Sequence, residues 1–297
     1  MADRQTILDY FLSLQDSICA RLEEADGSGK FMEDKWERPG GGGGRTRVLQ
    51  DGRVIEKGGV NFSAVHGPVP RFLLPELKTK DPVSFYATGV SIVMHPHNPM
   101  VPIIHMNVRY FEINESEYWF GGGIDLTPHY VDEADAAYFH AALKDTCDRF
   151  DSSCYSEFRK WADDYFFIPH RNETRGIGGI FFDKLGPGRH SKQELFAFVK
   201  AVGETFAPLY THFMRKNGQL PFSEREKMWQ HLRRGRYVEF NLVYDKGTRF
   251  GLETSGRTES ILMSLPAQAA WRYNYQPEKG SPEEKTLQLL RKGINWL

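Results

Sequence analysis

Apolar residues near the N-terminus recur every three or four positions, beginning with Ile7 and ending with Leu22. This is the spacing of one face of a helix, so we predict an N-terminal helix within residues 1–30. The run from Gly40 to Gly44 follows. Because consecutive glycines lose much conformational entropy when they are fixed in regular structure, we expect a glycine-rich loop over residues 27–44.

Residues 84–125 read as three consecutive antiparallel strands, interrupted by a proline-containing loop and a polar turn. In the middle strand, 103–113, polar and apolar residues alternate. The alternation places His105, Asn107 and Arg109 on one face, since successive side chains of a strand point to opposite sides. A polar face of this kind is either solvated or lines a wet pocket.

Short turn motifs predict where strands reverse direction. The predicted hairpins are Arg45–Gln50 with Arg53–Glu56 around an Asp51-Gly52 turn, Ile103–Ile113 with Tyr118–Asp125 around Asn114–Glu117, and Arg236–Tyr244 with Thr248–Leu252 around residues 245–247.

Helix start and stop signals are also legible. Capping boxes, which satisfy free backbone N–H groups at a helix start, occur at Ser191/Glu194 and Ser223/Glu226. The predicted helices are 132–150, 153–165, one from Ser191 to near Asn217-Gly218, one from Ser223 to near Gly235, and a C-terminal helix over 281–297.

Directly joined hairpins indicate an antiparallel sheet, and the helices fall between groups of strands. This order favours the α+β class over α/β. No position separates two cores, so we predict one domain over residues 1–297.

The composition excludes several function classes. The 38 Lys and Arg residues balance 39 Asp and Glu, so no global positive charge recruits nucleic acid. No stretch approaches the ~18 apolar residues of a membrane span, and the N-terminus does not read as a signal peptide. Three cysteines form no CxxC pair. We therefore expect a cytoplasmic protein. The 21 Phe, 13 Tyr and 6 Trp residues suit either a large core or a pocket for a flat ligand.

Four arginines lie beside glycines, histidines or aromatic residues: Arg109, Arg171, Arg175 and Arg257. A guanidinium stays charged and pairs with carboxylates in a forked geometry. These arginines therefore suggest an anionic ligand with several carboxylates. The alternative is a set of internal salt bridges to Glu112, Asp183 and Glu253.

Asp125 follows Gly121–Gly123, which leave the backbone bare enough for a ligand to approach closely. A carboxylate in apolar surroundings needs hydrogen-bond donors to remain charged. The alternatives are a strand-end bulge for the glycines and a turn with Thr127-Pro128 for the acid. Histidines such as His95, His97, His105 and His170 are candidate acids or metal ligands. No metal-ligand spacing is legible among them, and each could equally be structural.

Taken together, five motifs resemble those of the oxygen-dependent coproporphyrinogen III oxidases. They occur in the order HPHNP, NVRYFE, WFGGG-DLTP, HRNE-RGIGGIFFD and ESILMSLP, and the similarity extends from about Arg45 to Pro266.

The resemblance implies a large flat antiparallel sheet covered by helices on both faces, and a homodimer. It implies that two propionates of coproporphyrinogen III are oxidatively decarboxylated to vinyl groups, giving protoporphyrinogen IX in haem synthesis, with O2 as oxidant and CO2 and H2O2 as products. It implies no cofactor beyond O2; the alternative is a divalent metal ion.

The resemblance also assigns roles to individual positions. Asp125 matches an aspartate proposed to hold the pyrrole N–H groups, His105 a proton donor, Arg109 an arginine near the reacting propionate, and Arg175 another functionally linked arginine. Substrate contact is implied for Ser91, Asn107, Val108, Arg109, Ser255, Gly256 and Arg257. Ser255 stands where many relatives carry glycine. To these substrate-binding residues we add Arg171, one of the four arginines noted above. The matching candidate metal ligands are His95, His105, His140 and His170.

Overall fold

The structure is a computed structural model and describes residues 2–69, 84–113, 117–253 and 256–297. The predicted N-terminal helix is present as α1, Arg4–Asp26. Asp3 caps it by accepting a hydrogen bond from the Thr6 backbone N–H at 2.8 Å. The apolar stripe of α1, including Phe11, is buried against the sheet. No helix within the described residues is long and apolar enough to cross a bilayer.

An antiparallel sheet organises the chain, as the joined hairpins predicted. Within the described residues it has seven strands in the order β1-β2-β3-β4-β5-β6-β9. The strands are β1 Met32–Glu37, β2 Gly42–Gln50, β3 Ile55–Pro68, β4 Ser84–Pro96, β5 Ile103–Ile113, β6 Glu117–Thr127 and β9 Gly179–Leu185; the short pair β7 Phe167–Ile168 and β8 Glu173–Thr174 lies apart.

Helices cover both faces of this sheet, which confirms the α+β prediction. After α1 they are α2 Glu133–Asp148, α3 Cys154–Tyr165, α4 Lys192–Asn217, α5 Glu224–Val243, α6 Lys246–Glu253, α7 Thr258–Leu262 and α8 Pro282–Leu289, with a 3₁₀ turn at Pro169–Arg171. The main core lies between one face of the sheet and helices α1 to α4.

The opposite face is polar and is the one that carries His105, Asn107 and Arg109; we call it the polar face. Burial along β5 alternates as the sequence predicted, with these three residues half-buried between fully buried neighbours. Helix α5 covers one end of the polar face, where Tyr237 packs on Val93 and Ile103.

The prediction of a loop over residues 27–44 is wrong in two places. Met32–Glu37 forms the edge strand β1, and Gly42–Gly44 belong to β2. These strand positions favour glycine because the neighbouring atoms leave no room for a side chain. A Cβ on Gly43 would lie 2.2 Å from the Trp36 carbonyl oxygen, and one on Gly44 would lie 2.3 Å from the Trp36 ring. The rest of the predicted loop, residues 27–31 and 38–41, lies outside helices and strands as expected.

The hairpin predicted for residues 236–252 is also wrong, since α5 continues through Gly235 to Val243 and α6 follows. Gly235 does not end the helix. It sits at a close contact, where a Cβ would lie 2.6 Å from the Ala270 carbonyl oxygen. The C-terminal helix is shorter than predicted, because α8 ends at Leu289.

Several other local predictions are confirmed. The 45–56 hairpin and the helices α2, α3 and α4 are confirmed within a few residues. Both hydrogen bonds of the Ser191/Glu194 capping box are present. The predicted turn at Asn114–Glu117 lies mostly outside the described residues.

Candidate active site

The carboxylate of Asp125 is buried in β6 and binds two other predicted site residues, Arg175 and His105. It accepts hydrogen bonds from Nη2 of Arg175 at 2.8 Å to each oxygen and from Nδ1 of His105 at 2.8 Å. His105 stands directly opposite Asp125 on β5, so register alone brings this pair together. Asp125 itself is 1% exposed.

Arg175 reaches this carboxylate from an aromatic cage. Its guanidinium carbon lies 4.3 Å from the Phe166 ring centroid, 4.6 Å from Tyr237 and 4.7 Å from Phe240. Nη1 donates to Oδ1 of Asn241 at 2.9 Å. Cation–π contacts and these hydrogen bonds replace the water that the buried cation loses. The guanidinium of Arg175 is therefore fixed in position beside the Asp125 carboxylate.

The buried pair favours its ionised form. Burial raises the pKa of Asp125, but the nearby Arg175 charge and the hydrogen bond from His105 outweigh it, so that the net pKa lies below the usual value. Burial lowers the pKa of Arg175, but Asp125, Tyr237 and Asp245 together outweigh it, so that the net pKa lies above the usual value. Asp125 is thus a carboxylate at neutral pH, buried beside a cation.

This charge fixes the tautomer of His105. An ionised carboxylate can only accept, so Nδ1 of His105 carries the proton that it donates to Asp125. In the neutral ring Nε2 is then the basic nitrogen, and it has no partner among the described residues. The His105 side chain is 19% exposed. His105, and not the acid behind it, can therefore meet a ligand.

Arg109 lies further along the same face of β5. Its Nη1 donates to Oδ1 of Asn107 at 2.7 Å, and its Nη2 pairs with Asp183 at 2.9 Å. Gly121, opposite Arg109, makes room for this pair, because a Cβ there would lie 2.5 Å from Oδ1 of Asp183. The Arg109 side chain remains 34% exposed. It does not contact the Asp125 cluster.

The polar face between these residues carries small and polar side chains. A row of residues paired across adjacent strands runs from β1 to β6, and we call it the central row. Its members are Asp34, Thr46, Asn61, Ser91, Asn107 and Gly123.

Arg257 marks the β1 edge of this face, where it pairs with Asp34. Its Nη1 is buried without a hydrogen-bond partner among the described residues. Four strand spacings separate β1 from β5, which is ~19 Å. The two arginines Arg257 and Arg109 thus lie towards opposite sides of a broad floor.

Three predicted site residues point elsewhere. Arg171 and His170 both bind Glu239 of α5, and Arg171 donates to it at 2.8 and 2.6 Å. The Val108 side chain lies in the main core on the other face, so only its backbone borders the site. Of the predicted 255–257 contact, Ser255 lies outside the described residues, and the Gly256 backbone N–H donates to the Gly251 carbonyl at 2.8 Å.

The four histidines of the alternative metal site do not meet. His95 bonds the Ser264 carbonyl oxygen at 2.8 Å, and burial lowers its pKa well below the usual value. His140 uses both nitrogens, towards the Tyr155 hydroxyl and the Ile177 carbonyl, both at 2.9 Å. No group of three or more His, Cys, Asp or Glu residues in the described ranges could hold a metal ion.

Sequence reasoning missed the residues of α5 that hold Arg175. Tyr237, Phe240 and Asn241 follow one another at i, i+3 and i+4, which is helical spacing. Our interpretation of 236–244 as a strand scattered them over two faces. The alternative of salt bridges was right for Arg109 and Asp183. The described contacts of Glu112 and Glu253 lie instead with Arg4 and Arg249.

Comparison with known proteins places these features in a family. The family model described as coproporphyrinogen III oxidase matches residues 6–296. An oxygen-dependent coproporphyrinogen-III oxidase of Glycine max, chloroplastic by its name, is 48% identical over 95% of this chain and 77% of the relative. One from Prochlorococcus marinus (strain NATL1A) is 47% identical over 96% of this chain and 88% of the relative. The chain belongs to the coproporphyrinogen III oxidase family.

Proposed function

We propose that the polar face binds coproporphyrinogen III and that His105, backed by Asp125 and Arg175, is its proton-transfer group. The chain is an oxygen-dependent oxidoreductase that converts two propionates of this substrate to vinyl groups, giving protoporphyrinogen IX. The observation that carries the site assignment is the buried Asp125–His105 pair. Nε2 of His105 lies on the polar face, where glycines leave room for a ligand between Arg109 and Arg257.

The chemistry of the ligand matches that face. A porphyrinogen presents pyrrole N–H donors at its centre and carboxylates at its rim. Nε2 of His105 is an acceptor for an N–H group, and guanidinium groups bind carboxylates. We expected Asp125 to contact the N–H groups directly. Because its oxygens already accept hydrogen bonds from Arg175 and His105, we propose that Asp125 orients the imidazole and stabilises its protonated form.

The reaction can be written so that it balances. Nε2 of His105 accepts a pyrrole proton, which enriches the ring in electrons, and the proton is later returned. Two electrons pass to O2 as the propionate loses a hydrogen from the carbon next to the ring and its carboxyl group leaves as CO2. Each propionate consumes one O2 and one proton and gives one vinyl group, one CO2 and one H2O2. Asp125 stabilises the imidazolium while it exists.

O2 is the co-substrate that the family name implies, and we propose that no resident cofactor is needed. A porphyrinogen is itself rich in electrons, so base-assisted oxidation can proceed from substrate to O2. The alternative of a divalent metal predicts that activity is lost with chelation. Metal analysis of chelator-treated, fully active protein would decide between them.

Two further expectations belong to this proposal. We expect a homodimer, which the family resemblance supports, and a cytoplasmic location. Light scattering of the purified chain tests the first. Cell fractionation tests the second.

The proposed function is tested by admitting air to an anaerobic mixture. An enzyme of this kind leaves coproporphyrinogen III unchanged without O2, and on aeration forms protoporphyrinogen IX with two CO2 and two H2O2 per substrate. A protein that only binds tetrapyrroles would retain the substrate in both conditions. That result would contradict the proposal.

A further inference from the structure

A chain of hydrogen bonds crosses the β1 side of the polar face. Nε1 of Trp36 donates to Oγ1 of Thr46 at 3.0 Å, and the Thr46 hydroxyl donates to Oδ1 of Asn61 at 2.6 Å. Oγ of Ser260 in α7 lies 2.7 Å from the same hydroxyl. Thr46 is 5% exposed, so these partners take the place of water.

The Asn61 amide lies with its oxygen towards Thr46, whose hydroxyl donates to Oδ1. With its one proton used in this way, the Thr46 oxygen accepts from Nε1 of Trp36 and from the Ser260 hydroxyl. Oδ1 of Asn61 is therefore occupied. Nδ2, with two N–H donors, has no partner among the described residues. Because Asn61 is half-buried on the polar face, this donor is available to a ligand bound there.

Asn107 repeats the arrangement two strands away. Its Oδ1 accepts from Arg109 at 2.7 Å, which leaves its Nδ2 as the donor. Ser91 lies between the two asparagines on β4, and all three are half-buried members of the central row. Asn61 and Asn107 are two strand spacings apart, which is ~10 Å. The row thus offers donors along its length.

We propose that Asn61 is a further substrate-binding residue, whose Nδ2 donates to a carboxylate of the bound tetrapyrrole. This rests on the proposed function. The reduced macrocycle carries N–H donors at its centre, so its rim carboxylates are the acceptors that an amide N–H can bind. Asn61 lies on β3, two strand spacings from β1 and two from β5, so it adds a donor to the floor between Arg257 and Arg109.

The test replaces the Nδ2 donor of Asn61 and keeps an oxygen that accepts from Thr46. In Asn61→Asp, one carboxylate oxygen still accepts from Thr46, while the other is an anion where Nδ2 stood. We expect the KM for coproporphyrinogen III and the Kd for coproporphyrin III, read by tryptophan fluorescence quenching, to rise at least ~10-fold. We expect kcat to stay within about threefold, since the lost contact is present in ground and transition states alike.

Two variants separate binding from structure and charge. Asn295→Asp adds the same charge at an exposed position and should leave KM and Kd unchanged. Asn61→Ala removes the donor without adding charge and should raise Kd about 3- to 10-fold. It decides the matter if Asn61→Asp does not fold.

The outcomes are distinct. A folded Asn61→Asp or Asn61→Ala protein with wild-type KM and Kd would overturn the inference, as would a loss of kcat with Kd unchanged. Failure of the wild-type chain to turn over coproporphyrinogen III would instead overturn the proposed function.

Discussion

Nη2 of Arg175 lies 2.8 Å from both carboxylate oxygens of Asp125, and both side chains are 2% exposed. The pair contributes a fixed charge behind His105 in a place that water does not reach. A buried charge of this kind is stable only while its partner remains. The relationship therefore links the stability of the fold to the chemistry of the face.

Removing the cation should be costly. We expect Arg175→Met to lower the free energy of unfolding by about 3–5 kcal/mol, because it leaves the Asp125 carboxylate buried and unpaired. Urea denaturation measures this loss. Arg171→Met serves as the control, since Arg171 pairs with Glu239 near the surface and should lose about 1 kcal/mol or less. Equal losses in the two variants would contradict the account.

The imidazole should matter for the rate more than for binding. We expect His105→Gln to lower kcat about 10²- to 10⁴-fold with little change in the KM for coproporphyrinogen III, since a general base acts in the transition state. Steady-state kinetics give both values. His97→Gln, at a 40% exposed histidine, should behave as wild type. A His105→Gln enzyme with an unchanged kcat would show that another group moves the proton.

The buried histidines should make the fold sensitive to acid. Burial lowers the pKa of His140 from 6.5 to about 4, so the unfolded chain takes up this proton first as the pH falls. Stability from this group is present above about pH 6.5 and is lost between pH 6.5 and about 4, by on the order of 3 kcal/mol.

Urea denaturation at pH 7 and pH 4 measures this effect. His140→Gln should be less stable than wild type at pH 7 and should lose less on acidification. An unchanged pH slope in that variant would contradict the assignment.

The bare backbone at Gly121 should be needed for Arg109. We expect Gly121→Ala to displace the Arg109–Asp183 pair, because the added Cβ would lie 2.5 Å from Asp183 Oδ1 and 2.8 Å from Arg109 Nε. The KM for coproporphyrinogen III should then rise several-fold. Gly188→Ala is the control, as no atom lies within 4 Å of its Cβ position. Identical KM values for the two variants would mean that Arg109 does not bind the substrate.

The sequence predicts the sheet and its polar face because alternation is a local property. His105, Asn107 and Arg109 share a face whatever packs around them. The hydrogen bond between Asp125 and His105 depends on strand register. The hydrogen bond between Asp125 and Arg175 depends on a chain segment 50 residues away. Neither partner could be chosen from composition.

The errors have physical causes as well. The sequence predicts that glycine ends regular structure at Gly42–Gly44 and at Gly235. There it allows close contacts with Trp36 and with the Ala270 carbonyl oxygen, which no local pattern announces. Reading past Gly235 as a strand then hid the helical grouping of Tyr237, Phe240 and Asn241, and with it the cage around Arg175.

In the proposed mechanism the Asp125 charge drives turnover through His105. The most direct measurement is kcat for coproporphyrinogen III with O2 in Asp125→Asn, alongside the Kd for coproporphyrin III and a check that the variant is folded. We expect kcat to fall ~10²-fold or more, with the Kd near the wild-type value. A folded Asp125→Asn enzyme that binds normally and turns over at the wild-type rate would contradict it.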